Sequence, residues 1–279
     1  MRNLPAPLLN DRVVFSRIAR SKIYKYKARL YKVRSEVNAR YKDYMANAHS
    51  LESLSSSSVN VFCAEALVKC YSSRTIFLDS VRDDLLCPNV EDFDECPLCG
   101  IGEPSTLDHY LPKEEFPEFS VFSKNLIPIC SPCNSIYKGA RWIENGKRLF
   151  IHTYFDIFPA QSFLTASITV GAKLSLAYNA LHVPGHVNFS ELFSRHFEEL
   201  ELNNRYKRKA ASEIARKKRR FEAIFKKNGS PDDVANALLQ EAVYLRAEHS
   251  QNHWKLALYE ALSKSPDFCN GGFRKSIAK

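Results

Sequence analysis

Two cysteine pairs, Cys96-Pro-Leu-Cys99 and Cys130-Ser-Pro-Cys133, stand 30 residues apart near the middle of the chain. Each can place two thiolates on one ion from a tight turn. Together they supply four ligands, which closes a tetrahedral Zn²⁺ site and leaves no open position. Such a site is structural, and its metal supplies folding free energy that a short loop-rich segment cannot draw from a core. Gly100, directly after the first pair, suits the tight knuckle. The N-terminus lacks an apolar stretch ending in small residues, and no apolar run reaches the roughly 18 residues of a membrane span. A reducing, cytoplasmic compartment is therefore expected, where cysteines serve as metal ligands or buried thiols rather than disulfides. Cys63 and Cys70, seven apart in a helical region, are expected in the core; Cys87 and Cys269 lack paired spacing.

Around this centre the chain reads as α+β with helix predominating. Three regions are expected: an N-terminal arm and helical region (1–90), a metal-stapled unit (91–160), and a short β-hairpin followed by a basic helical region (161–279). Ile23, Tyr26, Leu30, Val33, Val37, Tyr41 and Tyr44 recur at spacings of three and four, one face of a long helix. Asn60 to Leu85 reads as helix broken near Ser72–Ser73. Phe163–Val170 and Lys173–Leu181 flank Gly171 and read as two strands. Phe189, Leu192, Phe193, Phe197 and Leu200 share a helical face. Ser230-Pro231-Asp232-Asp233 has the form of a helix start, with the last helical region running to about Lys264.

Charge adds a partner class. The formal net charge is +9, from 40 Lys+Arg against 31 Asp+Glu. Basic stretches at 17–42 and 205–227 can bind phosphates, and the five consecutive cations Arg216 to Arg220 favour an anionic partner, nucleic acid first. Glu91, Asp92, Asp94 and Glu95 read as a solvated loop. His249 and His253, four apart on an expected helix, have no evident third metal ligand and are assigned to surface or packing.

Chemistry is concentrated between the cysteine pairs. The segment reads Leu107-Asp108-His109-Tyr110-Leu111-Pro112-Lys113, then Asn125-Leu126-Ile127-Pro128, then Asn134 directly after Cys133, with Lys138 four residues on. This resembles the HNH, or ββα-metal, endonucleases in the order Asp-His-x-x-Pro, Asn-Leu-x-Pro-x-Cys-x-x-Cys-Asn and a following Lys. The resemblance covers about residues 94–155. Asn134 stands where many members carry His.

A neutral imidazole is the best general base among these groups, which points to His109. Asp108 is its neighbour, so on an extended strand the two side chains leave opposite sides, and a bend is needed to bring both to one phosphate. The resemblance implies that Asp108 and Asn134 hold a catalytic Mg²⁺ or Mn²⁺, that Asn125 braces the loop carrying His109, and that Lys138 meets the substrate phosphate. Lys113 is a further candidate for the nucleic-acid backbone. His152, in an aromatic segment, is expected to pack the unit onto the C-terminal part. The layout also resembles the PtuB-type HNH partner of an ATPase in anti-phage systems, which implies docking through the aromatic face Tyr24–Tyr44. The expected activity is phosphodiester hydrolysis, in DNA before RNA. The alternatives are a non-catalytic zinc-stapled binding module and a tRNA-cutting HNH toxin.

Overall fold

The computed structural model describes residues 1–86, 95–249 and 251–278. Cys87, Glu91, Asp92 and Asp94, and with them the expected 90/91 boundary, lie outside the described residues. The chain divides into two compact units, 3–157 and 158–279, the latter joined by Met1–Arg2. Helix predominates, and the described strands form three two-stranded antiparallel sheets.

In the first unit the long helix expected from the apolar spacing begins at Tyr24, and a shorter helix precedes it across a break. Helix α1 spans Asp11–Arg20 and α2 spans Tyr24–Ala46. Neither Pro nor Gly marks the break. The Ser21 hydroxyl bonds the Ile18 carbonyl at 2.7 Å, and Lys22 turns inward to the Ser73 carbonyl. The expected stripe is buried from Leu30 to Tyr44, whereas Ile23 and Tyr24, at the start of α2, are exposed. Helix α3 (Val61–Ser72) starts at Asn60, whose side chain accepts from the Cys63 amide at 3.0 Å, and α4 (Ile76–Leu86) follows the break at Ser73. Cys63 and Cys70 are buried, as the spacing predicts.

Strand β1 (Thr106–His109) pairs with β2 (Leu126–Ile129), with Asp108 opposite Ile127 and His109 opposite Leu126. A six-residue π-helical segment, Cys133–Lys138, follows. A small ladder of β3 (Ile143–Glu144) and β4 (Lys147–Arg148) completes the unit.

The loop between β1 and β2 is held by α1 and α2. Phe119 and Phe122 pack on Tyr41 and Tyr44, with Tyr41 and Phe122 stacked at 4.3 Å. Arg40 pairs with buried Glu118 at 2.8 Å, and Asp11 accepts from the Ser123 amide at 2.8 Å. Replacing one partner of such a buried pair strands the other charge, so this loop is strongly specified.

His152 departs from expectation. It is fully buried, with Nε2 3.0 Å from the Tyr44 hydroxyl of α2, in an aromatic cluster with Tyr110 and Phe155. The aromatic segment thus anchors the stapled region to the N-terminal helices of its own unit.

In the second unit, β5 (Leu164–Val170) and β6 (Leu174–Ala180) form the expected hairpin, in register from Leu164 opposite Ala180 to Val170 opposite Leu174. Leu174, Leu176 and Tyr178 alternate inward. Helices α5 (Val187–Glu199), α6 (Leu202–Asn228), α7 (Pro231–Glu248), α8 (Trp254–Ser263) and the short α9 (Pro266–Cys269) complete it. Leu192, Phe193, Phe197 and Leu200 are buried, and Ser230 caps α7 through the Asp232 amide. His249 and His253 do not share a helix. His249 ends α7, His253 caps α8 through the Lys255 amide, and their rings stack at 4.2 Å.

Candidate functional site

The four paired cysteines converge. All are buried, none is in a disulfide, and their sulfurs lie within 4.8 Å of one another. The Cys99 and Cys130 sulfurs are 3.8 Å apart. That is the edge of a tetrahedron with Zn–S bonds of about 2.3 Å, and far beyond the roughly 2.05 Å of a disulfide. Burial pushes the Cys96 thiol well above its usual range, while bonds from Cys133 and Cys96 bring Cys130 down to about 7. Four closely packed sulfurs cannot all ionise beside one another without a cation. The donor set is therefore compatible with structural zinc.

The knuckle backbone explains its glycines. The Gly100 amide donates to the Cys96 carbonyl at 2.7 Å, with φ +61°. Gly102 accepts from the Cys96 amide at 2.6 Å, and a Cβ there would meet the Cys130 Cβ at 3.1 Å. The close approach of the second pair thus demands a small residue at 102.

The cysteine frame fixes β1, β2 and the π-helical segment beside one another. Asp108, His109 and Asn134 then line one cleft of about 450 Å³, together with Thr106, Pro112, Lys113, Glu114, Tyr71 and Arg82. Asp108 and His109 share it because β1 ends at His109, where the chain turns away from its extended course.

His109 is set by two contacts. Its Nε2 lies 2.9 Å from the Ser120 carbonyl, and its ring meets Tyr71 edge-on at 4.4 Å. A carbonyl only accepts, so Nε2 carries the proton and Nδ1 keeps its lone pair. Burial lowers the imidazole to about 4, against the opposing effect of the Ser120 bond. At neutral pH the ring is therefore neutral, with one nitrogen able to take a proton.

Asn125 is fully buried and grips the chain just after His109. Its Oδ1 accepts from the Leu111 amide at 2.8 Å and its Nδ2 donates to the Leu111 carbonyl at 3.0 Å. The Tyr44 hydroxyl donates to the same Oδ1 at 3.2 Å, and the Tyr110 amide bonds the Asn125 carbonyl at 2.9 Å. Tyr44 in turn meets His152, so one chain of polar groups runs from His152 to the loop.

Asp108 is buried, and burial pushes its carboxyl up against the pull of Lys138. Lys138 is also buried. Its ammonium lies 3.0 Å from Asp108 Oδ2 and donates to Oδ1 at 3.2 Å and to the His109 carbonyl at 3.1 Å. The structure thus commits Lys138 internally, where a phosphate contact is expected from sequence. Asn134 donates through Nδ2 to the Thr106 hydroxyl at 3.1 Å, which leaves its carbonyl oxygen as a donor to a cation. Beyond its ion pair with Lys138, Asp108 Oδ2 is buried with no hydrogen-bond partner. Two such oxygens suit a hard divalent ion, with the Lys138 ammonium as its competitor for Asp108.

Arg82 and Tyr71 are the cleft residues that motif reading misses. The Arg82 guanidinium sits over the Tyr71 ring at 4.9 Å, and no carboxylate pairs with it among the described residues. Lys113, at the same cleft, pairs with Glu114 at 2.8 Å. Both missed residues come from helices far upstream, and no local pattern links them to the cysteine frame.

Over 206 residues the chain is 30% identical to "Protein ea31" of Escherichia phage lambda, an alignment covering 68% of the chain and 67% of that relative. No protein-family model and no solved structure matches.

Proposed function

The chain belongs to the family of the phage lambda protein Ea31, and for this member of that family we propose, from the cleft beside the four cysteines, a metal-dependent HNH-type endonuclease hydrolysing phosphodiester bonds in DNA. One observation carries the reading. A neutral, oriented imidazole shares a single cleft with a carboxylate and a carboxamide, and two cations, Arg82 and Lys113, line the same cleft. His109 would take a proton from water at Nδ1 while Ser120 holds Nε2. Asp108 and Asn134 would hold Mg²⁺ or Mn²⁺, which supplies Lewis-acid stabilisation of the phosphate and leaving oxygen. Arg82 would attract the phosphate into the cleft. Asn125 and Tyr44 keep the His109 loop in place. An ATPase partner and a role in anti-phage defence belong to the same proposal. On the aromatic face of α2, Tyr41 and Tyr44 are buried, so docking through that helix would rest on its exposed groups Tyr24, Tyr31 and Met45.

The buried Lys138–Asp108 pair favours a second reading, a zinc-stapled binding module in which Asp108 is already charge-compensated. Plasmid nicking with added Mg²⁺ or Mn²⁺ separates the two. His109→Ala should slow cleavage by about 10²–10⁴-fold with unchanged zinc content. Asp108→Ala or Asn134→Ala should be rescued in part by excess Mn²⁺, and His109→Ala should not. Cleavage of RNA but not DNA would redirect the reading to a ribonuclease. A wild-type protein that cuts neither, alone or with an ATPase partner, would leave the binding module.

A further inference from the structure

Helix α6 holds eleven Lys/Arg and two Glu, so it alone carries +9, the formal net charge of the whole chain. The other 252 residues balance, with 29 basic against 29 acidic. A surface that gathers the entire charge excess of a protein into one helix is a localised electrostatic feature rather than a general solubility device.

The structure divides these cations into two sets. Arg216 pairs with Glu213, while Lys217 and Arg220 both reach Glu241 of α7. Lys218 donates to the Arg274 carbonyl at 2.8 Å. Four of the five cations in the run Arg216–Arg220 thus have a partner within the unit, Arg216 and Arg220 while remaining exposed. Arg208, Lys209, Arg219, Lys226 and Lys227 are exposed, and no carboxylate pairs with them among the described residues. At about 100° per residue, Arg208, Arg219 and Lys226 fall within about 20° of one another around the axis and span about 27 Å along it. Exposed Ser212 and Ala215 lie between them, with half-buried Glu222 at one edge.

We propose that this outward face of α6 is a docking surface for the sugar–phosphate backbone of duplex DNA. The uncompensated cations match a polymer bearing one charge per roughly 1.7 Å of axis. Small side chains between them let the backbone come close. A membrane-surface helix would need large apolar groups beside its cations, and Ser212 and Ala215 supply none. The roughly 12 Å major groove of B-form DNA admits a helix, whereas the deep, narrow groove of an RNA duplex does not. The surface lies in the second unit, and the proposal stands whether or not the cleft of the first unit cuts.

The test is fluorescence-anisotropy binding of the full-length protein to a 30-base-pair DNA duplex, without added divalent ions, across a salt series. Two variants lose the same charge: Arg208→Gln/Arg219→Gln/Lys226→Gln and Arg216→Gln/Lys217→Gln/Arg220→Gln. The first should weaken binding by up to about 10²-fold near 0.15 M salt and flatten the log–log salt slope by up to about 2.7, from three lost phosphate contacts. The second should stay within a few-fold of wild type. Equal weakening by both variants would reduce the effect to net charge and overturn the proposal. So would an unchanged first variant, or tighter binding to the matching RNA duplex or to phosphatidylserine vesicles than to DNA.

Discussion

Replacing Asn125 by alanine tests whether the His109 loop is held as the geometry implies. The substitution removes the acceptor for the Leu111 amide and the donor to the Leu111 carbonyl, at 2.8 and 3.0 Å, in a site with no solvent exposure. Each orphaned buried group costs about 1–3 kcal/mol. The Tyr44 hydroxyl keeps His152 as a partner, and the 3.4 Å contact to the Phe119 carbonyl contributes little. The expected loss is therefore about 2–6 kcal/mol, a large share of a typical domain stability of about 5–15 kcal/mol. Urea unfolding reports it in a Trp254→Phe background, where Trp142 remains as the fluorophore of the first unit. With an m-value of about 2 kcal/mol/M the midpoint should fall by roughly 1–3 M. Hydrogen exchange of the peptide spanning 107–116 should show the Leu111 amide losing protection first. Asn125→Asp should fare no better, since a second acceptor would face the Leu111 carbonyl. An unfolding midpoint within about 0.25 M of the parent, with Leu111 still protected, would refute the reasoning.

Two further outcomes concern the staple and the buried ring. Cys130→Ser should lower zinc content well below one ion per chain by elemental analysis and destabilise the first unit, because three ligands cannot close the site; full occupancy with unchanged stability would remove zinc from the four-cysteine cluster. His152 is held well below its ordinary range, chiefly by burial and then by the Arg148 charge, so the unfolded chain binds its proton first. Its contribution is complete above a pH of about 6.5 and is lost as pH falls below it, at up to about 1.4 kcal/mol per unit. Thermal unfolding from pH 8 to 5 should therefore fall more steeply in the wild type than in His152→Gln, and equal slopes would discount this histidine.

What the sequence by itself determined was local. Spacing within each cysteine pair is set by covalent reach around one centre, so two matched pairs specify the four-cysteine cluster, compatible with zinc, before any fold is known. The β5–β6 hairpin and the Ser230 cap follow from neighbours in sequence, and so does the charge on α6. The tertiary structure decided everything that depends on who is buried against whom. Tyr71 and Arg82 enter the cleft from helices 27 to 38 residues upstream of the motif, and Ser120 orients His109 from a loop whose course α1 and α2 impose. The break at Ser21 carries no Pro or Gly because it is made by packing and by the inward turn of Lys22. Lys138, a surface residue by composition, is buried because Asp108 and the His109 carbonyl compensate its charge there. The cations of α6 look equivalent in sequence, yet Glu213 and Glu241 pair with Arg216, Lys217 and Arg220 and leave Arg208, Arg219 and Lys226 without a carboxylate partner among the described residues. Burial and charge pairing are long-range properties, and a pattern read along one chain carries no record of the partner that completes them.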